Sequence, residues 1–273
     1  MKVLISVDME GIAGVSGRDE VARGTSEYER FRRLMTEEAN AAVAGAALAG
    51  ADEICVNDSH GGMRNLLYEH LDARAELISG FNKPLCMMEG VEGADAVVCI
   101  GYHAWAGTAR AALDHTISGA QVHNWWLNGT RVGEIQINAA LAGHFGAPIV
   151  LASGDDKLAQ QVQATLPGTA TVVVKHALDQ LTVRSRPLTA VRRDIQESVQ
   201  AAVQNRKAVQ PVRLEGPVTF QIELVRANHA EVACWFPTVQ RIDPRTIAVT
   251  ADDVATAWRM AMGALLLGST ADR

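Results

Sequence analysis

The sequence predicts an α/β fold: a mainly parallel sheet with helices on both faces, plus a smaller C-terminal α+β subdomain. Three observations carry that reading. Apolar, β-branched runs recur through the first two-thirds of the chain, helical-period segments separate them, and the alternation stops at the charged, proline-bearing stretch "RSRPL" (184–188). Strands that alternate with helices pair in parallel through crossovers, which places helices on both sheet faces.

The elements follow in order. "KVLISVD" (2–8) is a strand by its branched apolar side chains. "SEYERFRRLMTEEANAAVAGAALAG" (26–50) is a helix in which Ser26 and Glu29 fit a capping box and Gly50 supplies the stop. Phe31, Leu34, Met35 and Val43 recur along it at the spacing of a sheet-facing stripe. "DEICVND" (52–58) and "ADAVVCIGYHA" (94–104) are the second and third strands. "VHNWWLNGTRVGEIQ" (122–136) reads as a hairpin that turns at Asn128-Gly129. "IQINAALAGHFG" (135–146) is a helix and "PIVLASGDD" (148–156) another buried strand, and the cycle repeats in "DKLAQQVQATLPG" and "TATVVVKHA". Past the break come a helix at 189–204, strands at 217–225 and 245–251, and a last helix from about Asp252 to Leu267, with Thr250 and Asp253 at its start. The expected division is a main α/β domain at 1–186 and a smaller α+β domain at 187–273.

Composition narrows the function. A chain of 273 residues, 48% hydrophobic and 21% charged, can bury a sizeable core. A formal net charge of −6 argues against a nucleic-acid partner, which calls for a basic surface. The longest apolar runs, such as "ALLLG" near the C-terminus, are too short to span a bilayer, so no membrane partner is expected. The first strand starts at once, without a signal-peptide layout, and the four cysteines form no CxxC pair. A cytoplasmic protein without disulfides is the expectation.

Chemistry gathers at the strand ends. The first strand leaves the core on Asp8 and Glu10, the second ends on Asp58 and His60, the third delivers His103, and the strand at 148–156 ends on Asp155 and Asp156. In open parallel sheets, ligands bind outside the carboxyl ends of the strands. Asp8 and Glu10 share a parity along the extended chain and can face one site. Two such carboxylates repel unless something positive lies between them, either a shared proton or a metal. With histidines nearby, the oxygen and nitrogen donors suit a divalent ion such as zinc, and Asp8, the deepest, is the best bridge between two ions. Capping of local turns is the structural alternative for Asp8 and for Asp58 taken singly. His70, His144, His176 and His229 lie elsewhere and read as surface or core residues, while the pair Trp125-Trp126 suits substrate stacking or an interface. No HExxH helix, GxSxG elbow, GxGxxG fingerprint or P-loop is present, which removes support for several standard enzyme classes.

The blocks "SVDMEG", "NDSH", "GYHA", "DHTISG" and "NGTRVGE", in order from residue 6 to 134 and followed by "GDDK" at 154–157, resemble the D-aminopeptidase family of zinc metallopeptidases. The resemblance implies a two-zinc site on Asp8, Glu10, His60, His103 and Glu134, with His115 as a catalytic histidine that is not a ligand. Glu134 enters through the resemblance and not through the strand order. The resemblance also implies a homo-oligomer, with a ring-based decamer as one form of it.

The expected reaction is hydrolysis of the N-terminal residue of short peptides, D-amino-acid-containing ones such as D-Ala-D-Ala, through a metal-activated water. His115 is free to exchange protons near neutral pH and to protonate the leaving amine. Two alternatives share the same donors: a two-metal phosphoesterase, for which "SHGG" (59–62) offers backbone amides, and a metal-dependent binding protein, which has no need of His115.

Overall fold

The computed structural model describes residues 1–272. In chain order the main elements are β1 (Lys2–Val7), α1 (Arg18–Val21), α2 (Ser26–Leu48), β2 (Glu53–Asp58), β3 (Ala75–Ile78), β4 (Ala96–Tyr102), β5 (Val122–Leu127) and β6 (Thr130–Arg131). They continue with α3 (Glu134–His144), β7 (Ile149–Asp155), α4 (Asp156–Thr165), β8 (Ala170–Asp179), β9 (Thr182–Ser185), α5 (Leu188–Gln204), β10 (Val218–Leu224), α6 (Ala227–Ala233), β11 (Gln240–Arg241), β12 (Thr246–Ala251) and α7 (Val254–Gly268).

Seven strands form the first sheet in the order β3-β2-β1-β4-β7-β8-β9. All of its pairs are parallel except β8 with β9. Helices α2 and α5 cover one face, and α3 and α4 pack on the other. The predicted α/β architecture is therefore present. Burial on both faces explains why the strands read as unbroken apolar runs. Along β1, Val3, Ile5 and Val7 enter the core under α2, while Leu4 enters the core on the opposite face. Ser6 points the same way as Leu4, and its hydroxyl is satisfied by Tyr102 Oη at 2.7 Å and the Met87 carbonyl at 2.8 Å.

A second, antiparallel sheet has the order β11-β12-β10-β5-β6. Its hairpin turns where expected, with Asn128 at φ 48° and Gly129 at φ 79°, the left-handed pair that a tight two-residue turn requires. The boundary expected at 186 is crossed in both directions. The hairpin β5–β6 pairs with β10, and α5 packs on α2 and the first sheet. Trp125 is wholly buried, edge-on to Phe220 and stacked on Trp258, so it belongs to the core under the second sheet and not to a substrate surface.

Local details differ from expectation at a few points. The N-cap of α2 is Thr25, whose hydroxyl accepts the Tyr28 N–H at 3.0 Å, and Ser26 is already helical. Asp253 alone caps α7, accepting the Thr256 N–H, while Thr250 lies in β12. The short β3, β9, β11, α1 and α6 add to the predicted elements. Among the described residues, no helix is long and apolar enough to cross a membrane.

Candidate metal centre

Two glycines bring the ends of β1 and β4 together. A Cβ on Gly11 would lie 1.9 Å from the Tyr102 carbonyl oxygen, and one on Gly101 would lie 2.2 Å from that of Asp8. Backbone contact at that distance lets the Asp8 N–H donate to Ile100 (2.8 Å) and the Gly11 N–H to Gly101 (2.7 Å). Asp8 and Glu10 are thereby pressed against the end of β4, where His103 leaves the sheet.

The six side chains expected at the site meet there. His60 Nδ1 lies 2.9 Å from Glu10 Oε2 and 3.3 Å from Asp8 Oδ1, while its Nε2–H donates to the Val21 carbonyl at 2.9 Å. His103 donates through Nδ1 to the Ala104 carbonyl at 3.0 Å, which turns Nε2 toward Asp8 Oδ2 (3.4 Å) and Glu134 Oε2 (3.3 Å). Glu134, the first residue of α3, accepts the Ile117 N–H on Oε1 at 2.7 Å. His115 donates through Nδ1 to the Leu113 carbonyl (2.9 Å) and stacks on His103 with ring centroids 4.1 Å apart. Its Nε2 is 3.8 Å from Glu134 Oε1.

Asp8, Glu10, His60, His103 and Glu134 are all buried, and His115 is partly open. Asp8 splits its carboxylate, with Oδ1 on the His60–Glu10 side and Oδ2 on the His103–Glu134 side. Asp8 Oδ2 and His103 Nε2 are buried without a hydrogen-bond partner among the described residues. Such orphans are expensive unless something binds them. A lone pair on neutral imidazole, facing oxygens of two carboxylates, fits a divalent cation.

The electrostatics agree. Burial and the neighbouring Glu10 charge push the Asp8 carboxyl up to about 7. Burial also pushes Glu10 up, but the facing imidazoles, His60 first, overcome it and hold it well below the usual carboxylate range. Burial lowers His103, yet the Glu134 and Asp8 charges raise it to about 10. The protein alone therefore retains protons where a cation would otherwise balance the carboxylates.

The loop around His115 is held under strain. Arg110, Leu113 and Ile117 adopt left-handed φ values of 55°, 50° and 63°. For a β-branched residue such as Ile117 this conformation costs about 1–2 kcal/mol. The strained residues aim groups at the site: the Leu113 carbonyl orients His115, and the Ile117 N–H holds Glu134.

A sequence model of the D-aminopeptidase family matches residues 1–262. This chain belongs to the D-aminopeptidase family. It is 34% identical over 261 residues to the D-aminopeptidase of Bacillus subtilis (strain 168), a match that covers 95% of this chain and 94% of that relative. It is also similar to the solved structure of the Zn-dependent D-aminopeptidase DppA from Bacillus subtilis, a self-compartmentalizing protease. There the TM-score is 0.95 and the identity 33%, with 98% of each chain covered.

In this D-aminopeptidase family member, several strand-end acids have structural roles. Asp58 accepts the N–H groups of Asn65 (2.5 Å) and Leu66 (2.7 Å) and the Asn65 side-chain amide (2.7 Å), so it closes the loop after His60 and does not orient an imidazole. Asp155 caps α4 and accepts the Ala112 N–H at 2.9 Å, tying down the His115 loop. Asp156 accepts the Ala177 N–H at 2.8 Å. His229 is buried and bonded to Asp272 at 2.8 Å, and it does not itself line the cavity beside the candidate ligands.

Two buried ionisable side chains complete the support of the Glu10 loop. Lys175 is fully buried, and its ammonium donates to three carbonyls, those of Glu10, Ile12 (3.0 Å) and Val15 (2.8 Å). Glu38 on α2 accepts the Ala13 N–H at 2.8 Å from the other side. Neither contact follows from a local sequence pattern, since each joins segments that are remote along the chain.

Proposed function

We propose that this chain is a zinc-dependent aminopeptidase that removes the N-terminal residue of short peptides, D-amino-acid-containing ones such as D-Ala-D-Ala, at a two-zinc site. The observation that carries the reading is the divided carboxylate of Asp8, with an imidazole nitrogen and a second carboxylate on each side. One position would take Asp8, Glu10 and His60, and the other Asp8, His103 and Glu134. Zinc held there would supply a Lewis acid for the scissile carbonyl and a source of activated water near neutral pH.

The remaining chemistry belongs to the chain. His115 has its Nδ1–H committed to Leu113, so Nε2 is left to carry a proton to the leaving amine. Stacking on His103 fixes the plane of that ring against the site. The backbone carbonyls of Val21 and Ala104 hold His60 and His103 in single tautomers, each presenting the other nitrogen inward. The family match and the zinc dependence of DppA support the same assignment.

The proposal extends to assembly and place. The self-compartmentalizing character of DppA supports a homo-oligomer here, with a ring-based decamer as the form proposed. Three buried, free cysteines accord with the cytoplasmic location expected from the sequence. All six site side chains fall within 1–186, in keeping with a catalytic unit there and a supporting one at 187–273.

The test couples metal analysis of the purified protein to hydrolysis of matched D-alanyl and L-alanyl dipeptides beside a generic phosphoester. The expected result is two zinc ions per chain and cleavage of the D-alanyl peptide. Phosphoester turnover without peptide cleavage would contradict it.

A further inference from the structure

The centre lies in the wall between two cavities of about 500 and 510 Å³, and Glu10, His115 and Ala120 line both. Beyond the candidate ligands, the first is walled mainly by apolar side chains, among them Met63, Met87, Ile117, Met262 and Leu265; its one further charged residue is the acid Asp272, and no lysine or arginine lines it. The second mixes apolar residues with the polar side chains Arg18, Asp114, His123 and Gln180. A peptide lying across Glu10 and His115 therefore meets a mainly apolar space without a basic side chain on one side and a space that holds a guanidinium on the other.

Charge accounting in the second cavity leaves one ion without a counterpart. Asp114 Oδ2 accepts the N–H groups of Gly107 (2.6 Å) and Thr108 (3.1 Å), and Oδ1 accepts the Gln180 amide at 2.9 Å. Glu10 is engaged by His60. Among the described residues, no carboxylate pairs with Arg18, whose side chain begins the short helix α1 at the cavity rim. A guanidinium offers a planar fork suited to a carboxylate.

We infer that the second cavity is the subsite for the leaving part of the peptide, and that Arg18 binds the free α-carboxylate of a dipeptide. The inference rests on the aminopeptidase reading and adds a direction to it: the residue to be removed lies over the apolar cavity, and the chain runs toward Arg18. His123 and Gln180 contribute polar groups to the same wall.

The experiment compares kcat/KM for D-alanyl-D-alanine and for its C-terminal amide, using the zinc-loaded enzyme at low and high salt. The two compounds are close in shape and differ in the C-terminal group, an anionic carboxylate against a neutral carboxamide. Wild type should prefer the free acid by about tenfold at low salt, and less at high salt, because part of the attraction is screened. Arg18→Met should bring the ratio near one, with the loss mainly in KM, and Arg18→Glu should take it below one. Zinc content of each variant shows that the centre is intact. A wild-type ratio near one, or an unchanged ratio in Arg18→Glu, would overturn the subsite while leaving the aminopeptidase reading in place. Cleavage of neither compound by wild type would remove both.

Discussion

At the residue scale, the site works by giving each imidazole one fixed hydrogen bond and one free nitrogen. His60 gives its proton to Val21, His103 to Ala104 and His115 to Leu113, all backbone carbonyls. His115 differs from the other two in exposure and in distance from the carboxylates, which suits proton transfer. His115→Ala should therefore keep its zinc but lose turnover by roughly 10²–10⁴-fold, as read by kcat beside zinc content. Full activity in that variant would remove His115 from the mechanism. Zinc uptake should also displace protons, because Asp8 is raised to about 7 and His103 to about 10 when only protons balance the cluster. Affinity should rise with pH through neutrality, and calorimetry in buffers of different ionisation enthalpy should show proton release at pH 6.5. The acids and histidines at strand ends were legible from the sequence, because Asp8, Glu10, His60 and His103 follow apolar runs directly. Glu134 was not legible in that way: it sits on the first turn of α3 behind a hairpin, and only its neighbours in the motif point to it. For Asp58 the turn-closing alternative is the one the structure shows, a strand-end acid that holds its own loop.

At the element scale, the segment from Asp8 to Val15 decides whether the ligands meet. It has no regular structure, and its backbone is pinned by Lys175 from β8 and Glu38 from α2. Lys175→Met would leave three carbonyls without their donor at a cost of about 3 kcal/mol, and should weaken zinc binding in chelator competition. Unaltered zinc affinity would show that the segment holds itself. Glu38 carries a separate pH signature. Burial raises its carboxyl to about 7, so the folded state holds a proton there that the unfolded chain has lost. Stability from this group is thus present below pH 4.5 and declines as pH rises toward 7, by about 3 kcal/mol in all. Glu38→Gln should flatten that decline in denaturation curves taken from pH 5 to pH 8. The long buried strands and α2, α5 and α7 were readable from periodicity. The short β3 and β9 were not, because four-residue edge strands carry too little pattern to stand out from loop. The α2 cap shifted by one residue because Thr25 and Ser26 are equally good caps, and only the fold of the preceding loop chooses between them.

At the scale of the whole molecule, the first sheet supplies rigidity and its carboxyl edge supplies donors from β1, β2 and β4. Met262, Leu265 and Leu266 of α7, with Ser269 and Asp272 after it, wall the first cavity, so residues beyond 186 help to enclose a site whose candidate metal ligands all precede it. That division of labour was hidden in the sequence: an antiparallel partner for β5 lies some ninety residues downstream in β10, and no local signal announces a pairing at that distance. The account depends on cations joining strands that are remote in sequence. The most direct measurement is X-ray diffraction from zinc-loaded crystals on both sides of the zinc absorption edge. The account predicts two anomalous peaks per chain, one among Asp8, Glu10 and His60 and one among Asp8, His103 and Glu134. A loaded crystal with no peak beside Asp8 would contradict it.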